Sequence, residues 1–172
     1  MKRRLVTAVI GSFVALSAFA QQKPLSPPAS VSATFGGKKV AISYSAPSKR
    51  DRVIIGGLVP FGKVWRTGAN AATTLTTESD LTIGKIKLPK GTYTLFTLPE
   101  KKEWLLIVNK ETGQWGTQYD ASKDFGRTAM TVKPLKDVVE MFKINLDKKN
   151  EKSGVLRLVW ENTEVSVPFK VR

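Results

Sequence analysis

The chain has 172 residues, carries 28 basic against 14 acidic side chains for a formal charge of +14, and contains neither cysteine nor histidine. Disulfides, thiol nucleophiles, Cys/His zinc sites and Ser-His-Asp triads are excluded, so the fold must rest on an ordinary hydrophobic core, which this length can build. The basic balance points to anionic partners, an envelope surface or acidic glycan among them, although the lysines are dispersed through turns such as Lys38-Lys39, Lys101-Lys102 and Lys148-Lys149.

Lys2, Arg3 and Arg4 precede an apolar run from Leu5 to Leu16, and Ala18-Phe19-Ala20 closes the segment. This is the pattern of a secretory signal peptide over residues 1–20. The run falls short of the roughly 20 apolar residues of a membrane helix, and no later segment approaches that length, so no transmembrane segment is expected. The arginine pair lacks the rest of a twin-arginine signature and there is no cysteine to carry a lipid. Sec export to a free periplasmic or secreted state follows as the expectation, which argues against a nucleic-acid partner. Residues 21–30 read as an extended Pro- and Ser-rich leader, and residues 31–172 as one domain.

From Val31 onward the pattern is β. Gly36-Gly37 is a two-residue turn between Val31–Phe35 and a strand in which Val40, Ile42 and Tyr44 alternate with Ala41, Ser43 and Ser45. Thr73–Thr77 is Thr-rich, Leu81–Ile83 and Ile86–Leu88 flank Gly84-Lys85, and Pro89-Lys90-Gly91 leads into Thr92–Leu98. The nearly continuous apolar run Trp104–Val108 predicts a central strand covered on both faces. A helical turn is expected at 121–125 or 135–140. Phe142, Ile144 and Leu146 alternate with polar neighbours, as do Leu156, Leu158 and Trp160; after a turn at Asn162-Thr163, so do Val165, Val167, Phe169 and Val171. Pro168 marks a strand edge or end. The expected architecture is all-β: a single antiparallel β-sandwich or jelly-roll-like domain with at most short helical turns.

Gly56 to Asn70 concentrates turn formers, aromatics and directional hydrogen-bonders. Arg66 offers a planar fork suited to carboxylate, phosphate or sulfate, or else serves as an internal strut to a carboxylate such as Glu161. Thr67 and Asn70 add hydrogen-bonding capacity, though Asn70 beside Gly68 equally suits a turn. Trp65 and Tyr93 offer apolar walls with polar tips, and Trp115 lies in a loop with little apolar company, whereas Trp104 and Trp160 read as core. The ligand-binding candidates are therefore Trp65, Arg66, Thr67, Asn70, Tyr93 and Trp115. Glu161, after a buried-looking tryptophan, and Asp120, in the irregular stretch after Trp115, are the catalytic candidates. A glycosidase needs two facing carboxylates roughly 5 to 9.5 Å apart. Asp120 and Asp124 are far from a calcium-loop pattern, and no metal or cofactor is expected.

Trp65-Arg66-Thr67-Gly68-Ala69-Asn70, then Gly91-Thr92-Tyr93-Thr94-Leu95-Phe96-Thr97-Leu98-Pro99, Trp104 with Ile107 and Asn109, Trp115-Gly116, and Trp160-Glu161 followed by Val167-Pro168-Phe169 occur in this order. With the leader Ser26-Pro27-Pro28-Ala29 and the segment Tyr44 to Ser48, they make the chain resemble the DUF2911 family of exported bacterial proteins, common in Bacteroidetes. The resemblance spans nearly all of the mature chain and implies no catalytic residues, because the family has no assigned function. One departure stands at Ala71, where members often carry Glu after the Gly-Ala-Asn element. The leading expectation is a non-catalytic periplasmic binding or accessory module for a small polar or anionic ligand, glycan-derived ligands included. The alternative is a glycan-directed hydrolase using a carboxylate pair that includes Glu161.

Overall fold

The computed structural model describes residues 24–172; the signal peptide expected over residues 1–20 lies outside the described residues. Nine strands are present: β1 Pro28–Phe35, β2 Lys38–Ser45, β3 Thr73–Thr77, β4 Leu81–Ile83, β5 Ile86–Leu88, β6 Gly91–Pro99, β7 Trp104–Asn109, β8 Asp124–Asn150 and β9 Ser153–Val171. They join in the order β1-β2-β3-β6-β7-β8-β9-β4-β5, every pair antiparallel. The all-β antiparallel architecture predicted from the alternation is thus the one adopted by the described residues, with a 3₁₀ turn at Ala121–Lys123.

The arrangement is sandwich-like because β8 serves two layers. Its first part pairs with β7, Trp104 opposite Met130, while Thr131–Asn150 pairs with β9. Ile42, Leu75, Leu95 and Leu106 from the first layer meet Ile83, Ile144, Leu158 and Val167 from the second in one buried cluster. That burial needs no covalent brace, since each fully buried Leu, Ile or Val contributes about 1.5–3 kcal/mol. β6 and β7 are covered on both faces: Leu95, Leu106 and Val108 join the cluster, while Phe96, Ile107 and Asn109 on the opposite face are equally buried.

Three local readings of the sequence are corrected. Residues 126–134, unassigned above, continue β8, because small and polar residues such as Gly126, Thr128 and Ala129 hide its alternation. Of the two places offered for a helical turn, 121–125 holds the 3₁₀ turn Ala121–Lys123, whereas residues 135–140 form none. They belong to a bulge in which the nine steps from Pro134 to Lys143 on β8 face only the four from Thr163 to Val159 on β9. Nor does Asn162-Thr163 end a strand, since Thr163 pairs with Pro134 and β9 runs through. The chain instead kinks at Glu161, whose φ is +52°. The core-facing positions are even-numbered before it (Leu156, Leu158, Trp160) and odd-numbered after it (Val165, Val167, Phe169, Val171). A one-residue slip in a strand exchanges its faces, and this bulge performs that exchange at the point where β9 changes surroundings.

At the β4–β5 tip, Gly84 has φ +53° and donates its N–H to Pro168 O, and a Cβ there would lie 2.1 Å from Thr128 Oγ1. Gly37, φ +80°, has nothing near its absent Cβ. Gly37→Ala should therefore cost only backbone strain, about 1 kcal/mol, whereas Gly84→Ala should cost roughly 2–4 kcal/mol because Thr128 must also move. Urea unfolding midpoints of the two variants check this, and equal losses would refute the steric part.

Candidate functional site

The segment between β2 and β3 folds over one end of the sandwich. Trp65 exchanges both backbone hydrogen bonds with Thr97, its N–H donating at 2.7 Å and its carbonyl accepting at 2.9 Å, so it extends the sheet beside β6. This sets the Trp65 ring against the core, stacked on Trp160 at 5.7 Å and edge-on to Phe142 and Trp104. Trp104 and Trp160 are core, as read from the sequence. Thr67 is fully buried with φ +53°, its hydroxyl donating to Thr97 Oγ1 and its carbonyl accepting from Thr73 Oγ1. It fixes the backbone that presents Arg66.

Arg66 lies half-buried under the loop that follows β7. A Cβ at Gly116 would fall 2.4 Å from Arg66 Cδ, so only glycine allows the loop to lie this close. The approach is fixed by Gly116 N–H donating to Asn70 O and by Ala71 bridging Trp115. Arg66 Nε is buried and has no hydrogen-bond partner among the described residues, as is true of both amide atoms of Gln114 on the covering loop. An unpartnered buried donor costs about 1–3 kcal/mol, and in a native protein calls for a reason.

Arg66 opens into a cleft of about 260 Å³ that also receives Arg50 and Arg52 and is walled by Trp65, Trp160 and Leu58. Among the described residues, no acidic side chain lines it. The two further arginines come from the turn Ser48–Arg52, in which Arg50 and Asp51 both take left-handed backbone, φ +49° and +58°. Such conformations cost of order 1–3 kcal/mol each and persist only where the surroundings enforce them. The enforcement is visible: Glu140 accepts from Lys49 N–H through its carbonyl and from Arg50 N–H through its carboxylate. Arg52 donates to Lys49 O and Ser48 O, and Arg50 to Leu25 O. Trp65, Trp104, Phe142 and Trp160 also enclose a void of about 10 Å³, which has room for no more than a water molecule.

Glu161 lies beside this turn, but its carboxylate is committed to the backbone. It accepts from Ile54 N–H at 3.3 Å and Ile55 N–H at 3.1 Å, with Lys49 Nζ 3.9 Å away. The ion pair that Arg66 could have formed with Glu161 is thus made by Lys49. Asp120 caps the 3₁₀ turn, accepting from Ser122 N–H, and hydrogen bonding from the Ser122 hydroxyl first and its N–H second holds the carboxyl below the usual range.

Of the sequence-derived candidates, Trp65 and Arg66 meet in the cleft. Thr67 lies behind them as a buried support, and Asn70, exposed with φ +58°, ties Gly116 and Ser26 to the loop. Trp115 is exposed next to Gly116. Tyr93 is elsewhere on β6, its hydroxyl donating to Pro89 O and its ring edge-on to Phe125. Arg50 and Arg52 were missed. Their signal was the cluster Lys49-Arg50-Asp51-Arg52, which reads as a solvated charge run until the fold closes it onto Arg66.

The loop over Arg66 is held at its far end by Asp124. Its carboxylate accepts from Asn109 Nδ2, Tyr119 OH and Arg127, and Tyr119 packs edge-on against Phe96. Burial, reinforced by the hydrogen bond to Asp124, raises the Tyr119 phenol from 10.0 to about 12. A raised phenol favours the protonated folded state, so its contribution is present below pH 10 and is lost as pH rises through 12. An absorbance titration should show one tyrosine ionising near pH 12, and Tyr119→Phe should remove that step. Its persistence in the variant would assign it to another tyrosine.

A family model, DUF2911, described as a protein of unknown function, matches residues 26–169. No curated protein and no solved structure matches the chain.

Proposed function

We propose that this chain, which belongs to the DUF2911 family of proteins of unknown function, is an exported, non-catalytic binding module whose arginine cleft holds a small anionic ligand. The carrying observation is that Arg50, Arg52 and Arg66 line one concavity without an acid, while Arg66 Nε is buried and unpartnered among the described residues. A guanidinium left with free donors in a partly dry site is suited to a carboxylate, phosphate or sulfate oxygen, and charge-assisted bonds of this kind are the strong ones. The faces of Trp65 and Trp160 give the cleft an aromatic side against which a sugar ring or other flat group can lie. A volume near 260 Å³ matches a small acid or a single phosphorylated or acidic sugar and falls at the lower end of ligand pockets.

Two features support binding over hydrolysis. Glu161 spends its oxygens on two backbone amides, and the neighbouring Glu140 carboxylate on a third, so both act as ties for the Lys49–Ile55 turn. Ala71, bridged to Trp115 in the loop over Arg66, adds no carboxylate there. Glu161→Gln should lower stability by roughly 1–2 kcal/mol without abolishing any turnover of envelope glycans.

The test is calorimetry with inorganic phosphate, sugar phosphates and uronic acids. Arg66→Ala should weaken a binding anion by roughly 10- to 150-fold, the equivalent of about 1.5–3 kcal/mol for a hydrogen bond to a charged group. Lys101→Ala, in the exposed β6–β7 turn, should change affinity by less than about twofold, and added salt should weaken the wild type. Unchanged affinity in Arg66→Ala would reject the cleft as the site.

A further inference from the structure

The six exposed large apolar side chains among the described residues, Leu25, Val53, Leu58, Trp115, Val138 and Met141, are 38 to 72% accessible. They are not scattered. Leu25 and Leu58 line the arginine cleft itself. Val53 shares a turn with Leu58, its carbonyl accepting Leu58 N–H at 3.1 Å. Met141 bridges to Ser48, another cleft residue, and Val138 lies on the same bulge of β8, beside Val139, which pairs with Glu161. Trp115 precedes the glycine that packs on Arg66.

Single exposed apolar residues need no explanation, but their collection around one cationic cleft does. The turn that carries Val53 and Leu58 is also rigidly built, since Ile54 and Ile55 N–H are held by Glu161 and Val59 is buried beneath it. The bulge that lifts Val138 and Met141 adds residues that ladder pairing alone does not require. Nearby acids are few or engaged: Glu140, though exposed, accepts from Arg50 N–H, leaving Asp51 and Asp137 as the carboxylates of these segments without a hydrogen-bond partner among the described residues.

We infer that this end of the sandwich docks on a membrane containing anionic lipid, with Arg50, Arg52 and Arg66 taking a lipid phosphate and Leu25, Val53, Leu58 and Val138 entering the headgroup boundary. Apolar side chains flanking basic ones are the composition of a surface that rests in the interface without spanning it, and a peripheral tryptophan such as Trp115 suits the same depth. Each basic residue near an anionic leaflet adds attraction that falls with salt, and the strongly basic chain supplies the long-range part. The inference rests on the anion-binding reading of the cleft and names the phosphate's source as a bilayer lipid.

The experiment compares wild type, Arg66→Ala and the double variant Val53→Asn/Val138→Asn, which leaves every cleft-lining side chain in place and adds no charge. Each is assayed for sedimentation with vesicles of phosphatidylcholine, with or without phosphatidylglycerol, and for calorimetric binding of free glycerol phosphate. Wild type should sediment with the mixed vesicles and not with phosphatidylcholine alone. The double variant, whose changes lie on exposed side chains outside the cleft lining, should lose at least about tenfold in vesicle partitioning while keeping its glycerol phosphate affinity. Arg66→Ala should weaken both. Glycerol phosphate binding without vesicle binding would overturn the membrane inference and leave the anion site standing. Vesicle binding untouched by the double asparagine variant would also overturn it, as charge adsorption without apolar insertion. Absence of both would sink the cleft and the docking surface together.

Discussion

Glu161 is the residue on which fold and cleft jointly depend. Its left-handed backbone exchanges the faces of β9, so that Trp160 on one side and Val165 on the other both reach the core. Its carboxylate, placed by that same kink, takes the amides of Ile54 and Ile55. The backbone cost, of order 1–2 kcal/mol for a residue with a Cβ, is offset locally by two hydrogen bonds to a charged acceptor. Without the kink, the even-numbered face of β9 would continue past Trp160 and the loop carrying Arg50 and Arg52 would have no anchor on that strand.

Holding three guanidinium groups in one concavity works against stability, since like charges repel and partial burial strips their water. The fold compensates with carbonyl oxygens instead of acids: Leu25, Ser48 and Lys49 accept from Arg50 and Arg52. Carbonyls orient a guanidinium without cancelling its charge, which keeps the cleft receptive to an anion. Elsewhere the protein does the opposite. Arg157 is flanked by Asp147 and Glu164, and the Asp147 carboxyl is held below its ordinary range by that hydrogen bond. The contrast is between an arginine neutralised by two carboxylates on β9 and arginines left unneutralised at the end of the sandwich.

The architecture was legible because nearly every strand announces itself by period-two burial, from Val40, Ile42 and Tyr44 to Val165, Val167 and Phe169. It was illegible where the period breaks. The Leu135–Met141 bulge carries no consistent alternation, and Asn162-Thr163 imitates a turn while pairing within a strand. The family was legible because its motifs, Trp65 to Asn70 and Gly91 to Pro99 foremost, coincide with the most constrained backbone, where Thr67, Gly68, Asn70 and Gly91 all have positive φ. The cleft was legible by half. Arg66 and Trp65 stood out by local composition, whereas Arg50, Arg52 and the apolar rim are joined to them only by tertiary contacts, through Glu140 and Glu161, that no local pattern encodes. Tyr93 illustrates the converse, a residue with suitable chemistry on a strand that carries it away from the cleft.

The two-layer role of β8 gives the molecule a folded edge where most sandwiches have a seam. Peeling one layer from the other would require tearing a single continuous strand out of hydrogen-bonded ladders on both sides, so the layers have no independent existence as smaller folding units. The arginine-bearing turn shares in that cohesion, since Glu140 and Glu161 tie it to β8 and β9, the two strands that span the body.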